Sequence, residues 1–262
     1  MPRLEWGTPG SSVYETGVDR GVLYIADQPG VAWTGLTSVE MNPSGGGVKS
    51  YYLDGEKYIM VSTREEFGAT INALTYPDLF AQCDGSSQIR SGLRVTQQRR
   101  KPFGFSYRTL VGNELNGDLG YKIHLVYNAI AEPVNKSYNT IGDNVTPVEF
   151  SWNIVTKAPP MAGVRRTSHI EIDSRTTDKQ VLGLVEETIY GSDTEMPRLP
   201  SYDEVIAMFD AFFVFVVTDN GDGTYTVSGP DDAITPLGDI YMQFAWPTVV
   251  EVDPDTYTIS DG

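Results

Sequence analysis

Apolar and polar positions alternate with period two through most of this chain, and that period predicts strands. The cleanest run is 148–154. Val148, Phe150, Trp152 and Ile154 face one way and Glu149, Ser151 and Asn153 the other, so one side of that sheet is core and the other wet. Phe67, Ala69, Ile71 and Ala73 alternate with Gly68, Thr70 and Asn72. Their period favours a strand over the helix that Thr63 and Glu66 could open as a capping box. Residues 121–130 alternate again, as do 167–173, with Ile170 and Ile172 inward and His169, Glu171 and Asp173 outward. Residues 13–41 read as a hairpin of two strands, centred on 22–25 and 32–39, with Asp27, Pro29 and Gly30 at the turn and glycines at 17, 21 and 35 where backbones bend or approach. Tyr51, Tyr52, Leu53 and residues 57–61 flank a tight Asp54-Gly55 turn.

The period changes in a few places. Pro77 opens a short helix that Gly85 ends, and 178–190 is helical, with Val181, Leu184, Val185 and Ile189 on one stripe and Gly191 as the stop. Ser201 and Glu204 form a capping box for a second short helix through Met208. Beyond it a small β module is predicted, with strands at 212–218, 224–228, 240–246, 249–252 and 256–259 and a turn at Asn220-Gly221 or Asp222-Gly223. Residues 42–48 (NPSGGGV) read as a flexible loop, because three successive glycines lose much entropy on ordering. The fold class is mainly β (α+β).

Composition adds little until charge is divided along the chain. Residues 1–179 carry 18 Lys and Arg against 19 Asp and Glu; residues 180–262 carry Arg198 alone against 16 acids, so −1 and −15 make the total of −16. A neutral main domain (1–197) and an acidic C-terminal β module (198–262) are expected. With 40% apolar and 21% charged residues the chain reads as globular. No apolar run approaches the roughly 20 residues of a membrane span, and the first residues lack the apolar core of a signal peptide. The expectation is a protein made in a cytosol and not inserted into a membrane. The single cysteine, Cys83, excludes an internal disulfide.

Chemistry is sparse. Gly45-Gly46-Gly47-Val48-Lys49-Ser50 approaches the end of a phosphate-binding loop, but a Val separates Gly from Lys. The Asp219–Asp222 cluster misses the calcium-loop spacing. His124 and His169, with Cys83, fall short of a closed zinc site, and the charged neighbours Lys122 and Glu171 mark both as solvated face residues. The sequons at Asn135 and Asn144 are chance matches. No Gly-x-Ser-x-Gly elbow is present. No catalytic residue, metal ligand or cofactor site is assigned, and the chain is read as not an enzyme. Basic residues cluster at Arg90, Arg94, Arg99, Arg100 and Lys101 and at Arg165 and Arg166, with Phe103, Phe105 and Tyr107 following the first group. In so acidic a chain they suit pairing with acidic surfaces of neighbouring subunits better than a nucleic-acid groove.

Several blocks carry a resemblance: VYETGVDRGVLY, GVAWTGLTSV, EEFGATINALTYPDLFAQCDG, RKPFGFSYRTLVGN, GYKIHLVYNA and SHIEIDSR. In this order they resemble the major tail proteins, or tail-tube proteins, of long-tailed, non-contractile bacteriophages, and are most similar to those of phages infecting actinobacteria. The resemblance implies a β-sandwich or barrel with flanking short helices that forms hexameric rings. The rings stack into a tube, inner sheets of neighbours join, and a long loop from one ring contacts the next. The partners implied are further copies, a tape-measure protein, a tail terminator and tail-tip proteins, with double-stranded DNA passing through at ejection. The place implied is the tail of a virion assembled in the host bacterial cytoplasm.

Sites follow as expectations. The ring-stacking loop is Asn42, Pro43, Ser44, Gly45, Gly46, Gly47 and Val48. The lumen face is Thr70 and Asn72, or Glu149, Ser151 and Asn153, because a wall that passes DNA should not be basic. The inter-subunit basic patch is Arg94, Arg99, Arg100, Lys101, Arg165 and Arg166. The acidic module is placed on the tube exterior, where screening over about 8 Å disperses its charge. The alternatives are another ring-forming component of the same fold, a distal-tail or terminator protein, or a carbohydrate-binding β-sandwich module.

Overall fold

The structure is a computed structural model that describes residues 7–138, 140, 147–161, 163–212, 216–219, 224–228, 247–253 and 256–261; beyond residue 210 only the backbone is described. The predicted strand at 240–246, the turn at 220–223 and the sequon at Asn144 lie outside the described residues. The chain divides into two compact units, 1–177 with 186–199, and 178–185 with 200–262.

The first unit is built on one eight-stranded sheet. In chain order its strands are β1 (Val13–Tyr24), β2 (Val31–Trp33), β3 (Leu36–Met41), β8 (Gly68–Ala73), β11 (Phe103–Asn113), β12 (Gly120–Ala131), β13 (Phe150–Thr156) and β14 (His169–Asp173). The ladder runs β2-β1-β11-β12-β13-β8-β3, every pairing antiparallel, and β14 pairs with β12 beside it. The predicted hairpin is therefore cut in two: β2 pairs with β1, whereas β3 crosses to β8 at the far end of the ladder. Only Thr34 and Gly35 join these terminal strands, a reach of at most about 11 Å between Cα atoms, so the sheet must curl until its edges nearly meet. Gly35 sits at φ +85°, and a Cβ there would fall 2.3 Å from Thr75 Oγ1, so glycine is required at the corner. Two bulges in β1, between Thr16 and Asp19 and between Asp19 and Val22, add bend. Arg108 donates two hydrogen bonds to Asp19 there, at 2.6 and 2.7 Å.

The concave side is an aromatic core. Phe80, from the 3-10 turn Asp78–Gln82, enters it as a plug, with its ring 4.6 Å from Trp33, 5.0 Å from Trp152 and 5.4 Å from Phe103. Phe80, Trp152 and Phe105 are fully buried. Each buried aromatic of this size contributes roughly 1.5–3 kcal/mol of transfer free energy. The Trp33 indole N–H donates to the Thr75 carbonyl at 2.9 Å, which fixes the corner strand over the core.

Residues 42–48 are not one continuous loop, since strand pairing interrupts them. Ser44–Gly45 (β4) pairs with Glu65–Glu66 (β7), and beyond them Val48–Leu53 (β5) pairs with Glu56–Ser62 (β6) around a turn at Asp54 and Gly55. The glycines stand at the root of a two-stranded arm. A fourth sheet of this unit, Ser87–Arg90 (β9) paired with Leu93–Val95 (β10), follows the plug.

Helix α1 (Lys179–Tyr190) starts on Asp178, whose carboxylate accepts from the Gln180 N–H at 2.7 Å, and stops at Gly191, φ +84°. Its buried stripe is Val181, Leu182, Val185, Thr188 and Ile189, whereas Leu184, expected inward, is exposed. In the second unit, helix α2 (Tyr202–Phe212) has the expected capping box. The Glu204 N–H donates to Ser201 Oγ at 3.2 Å, and the Ser201 N–H donates to the Glu204 carboxylate at 2.9 Å. Strands β15 (Val216–Asp219), β16 (Thr224–Ser228), β17 (Pro247–Asp253) and β18 (Thr256–Asp261) form an antiparallel sheet in the order β15-β16-β18-β17.

Candidate assembly surfaces

The arm is the most exposed apolar feature of the first unit. Tyr51, Tyr52, Leu53, Tyr58, Ile59, Met60 and Val61 are all exposed, Tyr58 by 70% and Tyr52 by 65%. A two-stranded ribbon has no third layer to cover either face, so alternation along it leaves apolar side chains wet on both sides. Its root is fixed. Gly45, at φ +78°, lies where a Cβ would fall 2.2 Å from the Arg64 carbonyl. The Gly46 N–H donates to that carbonyl, the Thr63 N–H donates to the Gly47 carbonyl, and the Asn42 N–H donates to the Gly68 carbonyl. Asn42, Pro43, Ser44, Gly45, Gly46, Gly47 and Val48 thus orient the arm, and the large apolar residues lie further out.

The polar positions Thr70, Asn72, Glu149, Ser151 and Asn153 come together on one face of β3–β8–β13. Asn72 is opposite Ser38 and Ser151, and Thr70 is opposite Glu40 and Asn153. Hydrogen bonds tie the rungs together: Thr70 donates to Asn153 at 2.9 Å, Asn72 to Ser38 at 2.9 Å, and Thr37 to Glu149 at 2.9 Å. These three strands contain no Lys or Arg. The face is polar and anionic, the reverse of the core side formed by Ile71, Ala73, Trp152 and Ile154.

The basic residues line different clefts. Arg94, Arg99 and Lys101 line one of about 470 Å3 beside the plug and the β9–β10 ladder. Arg100 and Lys136 pair with Asp84 in the neighbouring cleft, at 3.3 Å for Arg100. Arg166 lines a separate cleft of about 480 Å3 with Arg64, Lys157 and His169, and Arg165 is exposed. Phe103, Phe105 and Tyr107, which could have served as stacking platforms, are buried in the core.

The histidines are not free surface side chains: His169 is half-buried and His124 wholly so. His124 is fully buried, and its Nδ1 lies 3.0 Å from His169 Nε2 while its Nε2 lies 3.0 Å from Thr109 Oγ1. The rings stack in a column, Phe67 on His169, His169 beside His124, and His124 on Tyr107, at centroid distances of 4.7, 5.3 and 4.5 Å. Burial lowers the pKa of both, His169 to about 4, with His124 adding a smaller repulsion. Lys122 bridges Glu15 and Glu171 above the pair, and its hydrogen bond holds the Glu171 carboxyl below the ordinary range. The outward assignment from alternation failed because β14 lies against β12 and Phe67 covers the ring. No sequence signal joins two histidines 45 positions apart.

Burial also pushes the Cys83 thiol up to about 12, which makes it a poor nucleophile. Among the described residues no three His, Cys, Asp or Glu side chains are grouped to hold a metal ion. No helix among them is long and apolar enough to cross a membrane.

No protein-family model matches the chain, and no curated protein matches it by sequence. It is similar to solved structures at low identity. One is a sheath/tube terminator of an extracellular contractile injection system, with 11% identity over 65% of this chain and 99% of that one, at a TM-score of 0.34. Another is the tube-terminating cap of the anti-feeding prophage, with 10% identity over 66% and 96% and a TM-score of 0.30. A third is Hcp1 from Flavobacterium johnsoniae, with 13% identity over 60% and 100% and a TM-score of 0.28. Likenesses at these scores decide nothing about function.

Proposed function

We propose that this chain is a structural subunit that self-assembles into stacked hexameric rings, the tail tube of a long-tailed bacteriophage through which DNA is ejected. The observation that carries the reading is the arm, whose root is locked by hydrogen bonds while its apolar side chains have no cover within the ribbon. An apolar ribbon of this kind is stable in water when a neighbouring molecule covers it. The resemblance of the sequence blocks to tail-tube proteins supplies the geometry in which the neighbour is the next ring. The anionic face of β3–β8–β13 suits a lumen, since a wall without Lys or Arg does not hold phosphates. A tape-measure protein before ejection and a terminator at the tube's end are the partners this role requires.

Negative-stain microscopy of the purified full chain tests the proposal. Rings and extended tubes are the expected result. Rings that never stack favour a terminator or distal-tail role. A monomer that binds sugars, with no assemblies at any concentration, overturns the proposal.

A further inference from the structure

We infer that the cationic cleft beside the plug binds the carboxylate-rich segment 200–262 of a second copy of this chain. The inference rests on the self-assembly proposed above and names one of its contacts.

The first unit gathers cations at one place. Arg94, Arg99, Arg100, Lys101 and Lys136 line the two clefts beside the plug, with Arg90 on β9, and the acids among those lining residues are Asp78 and Asp84. Asp84 is occupied by Arg100 and Lys136. Asp78 pairs with Arg94 at 3.0 Å, but the Asp78 side chain is 91% exposed, and a pair so open to water contributes little. Among the described residues no carboxylate pairs with Arg99 or Lys101, and both line the cleft of about 470 Å3. Ser86, Ser87 and three glutamines line it as well, so its walls also offer uncharged donors. The site is built for an oxyanion.

Carboxylate is favoured over phosphate by what surrounds the cleft. The aromatic side chains nearest in sequence, Phe103 and Phe105, are fully turned into the core and offer no base-stacking platform. The chain as a whole carries −16, which repels a polyanion as dense as DNA. The same chain supplies a fitting ligand. Residues 200–262 contain 12 acidic side chains and no basic one. Arg99 can take a carboxylate by two parallel hydrogen bonds, and Lys101 as a point charge. In a closed ring each copy would give its acidic segment to one neighbour and receive the other neighbour's, a head-to-tail contact that closes by rotation.

The test uses full-length protein, half of it labelled with nitrogen-15, mixed before assembly and treated with a carbodiimide that joins amines to carboxylates. Lys101 is the only lysine lining the cleft. Peptides are cut with chymotrypsin, because no Lys or Arg follows Arg198. Mixed-isotope peptides joining Lys101 to an acid within 200–262 are expected. The variant R99Q/K101Q should melt like the parent yet lose its assemblies at about two-fold lower NaCl, since fewer charges are left to screen. Links confined to one isotope, assemblies without any Lys101 link to that segment, or an unchanged salt midpoint overturn the inference and leave the assembly proposal standing. Retention of duplex DNA by the cleft at the assembling salt overturns it in favour of nucleic acid. A parent protein that stays monomeric removes both.

Discussion

The concave core and the arm use the same kinds of residue to opposite ends. Trp33, Phe80, Phe105 and Trp152 lie between layers of one chain and are shielded from water, whereas Tyr51, Tyr52, Leu53 and Tyr58 project from a ribbon that nothing in the first unit covers. The difference is one of layers, since both regions carry large apolar side chains. A sheet that curls over a plug has two sides on which to exclude water, and a lone ribbon has none. Core aromatics therefore contribute to the stability of the subunit. Arm aromatics contribute where a second molecule is present.

The strongest way to break that contrast is at the core. Trp152→Ala removes a fully buried ring packed against Trp33, Tyr76 and Phe80. A loss of about 3–5 kcal/mol is expected in urea unfolding, enough to abolish folding at moderate temperature. A loss below about 1 kcal/mol would mean that the aromatic cluster is not the stabilising centre.

Acid should act next, through the histidine column beside the core. The unfolded histidines take up protons near pH 6.5, whereas folded His169 resists until about pH 4, so between those values the unfolded state binds more protons and stability falls as pH falls. His169 contributes on the order of 3 kcal/mol across this window. Glu171 and Asp173, whose carboxyls are also held low, act in the same direction but below the ordinary carboxylate range. The check is urea unfolding at pH 7 and pH 4.5, with His169→Gln as the control. That variant should lose most of the difference between the two pH values, and an unchanged pH slope would exclude the histidine column as its source.

The smallest effect on the subunit separates the two regions most sharply. Replacing Tyr52, Leu53 and Tyr58 with serine should change monomer stability by less than about 0.5 kcal/mol for each residue, because surface positions carry little. The same variant should fail to form stacked assemblies in sedimentation. A large loss of monomer stability would show that the arm is covered by its own chain.

Period-two alternation located β8, β12, β13 and β14 in the sequence, because each has one dry face and one wet face. The capping boxes and stop glycines located the helices for reasons equally local: Ser201, Glu204, Asp178 and Gly191 act within a few residues of themselves. Alternation also put Thr70, Asn72, Ser151 and Asn153 on wet faces, but not side by side. Their rung-to-rung hydrogen bonds follow from a strand register fixed by partners about 80 positions away. The arm's glycines read as a flexible loop, because composition reports the entropy cost of ordering them and not the carbonyl of Arg64 that requires a glycine at position 45. His169 and His124 read as solvated for a similar reason: a polar residue on an alternating strand counts as outward until a second strand is laid against it.

By itself, then, the sequence determined the strand periods, the helix caps, the turn at Asp54 and Gly55, the Trp152 face and the charge division near residue 180, all properties of neighbours along the chain. Tertiary structure alone decided that residues 13–41 part at Thr34 and Gly35 to form the two edges of one curled sheet, that Phe80 plugs it, that two distant histidines share a hydrogen bond, and that the basic residues line separate clefts. Each of these depends on loop closure between segments far apart in sequence, and no local preference encodes which partner a strand edge will take.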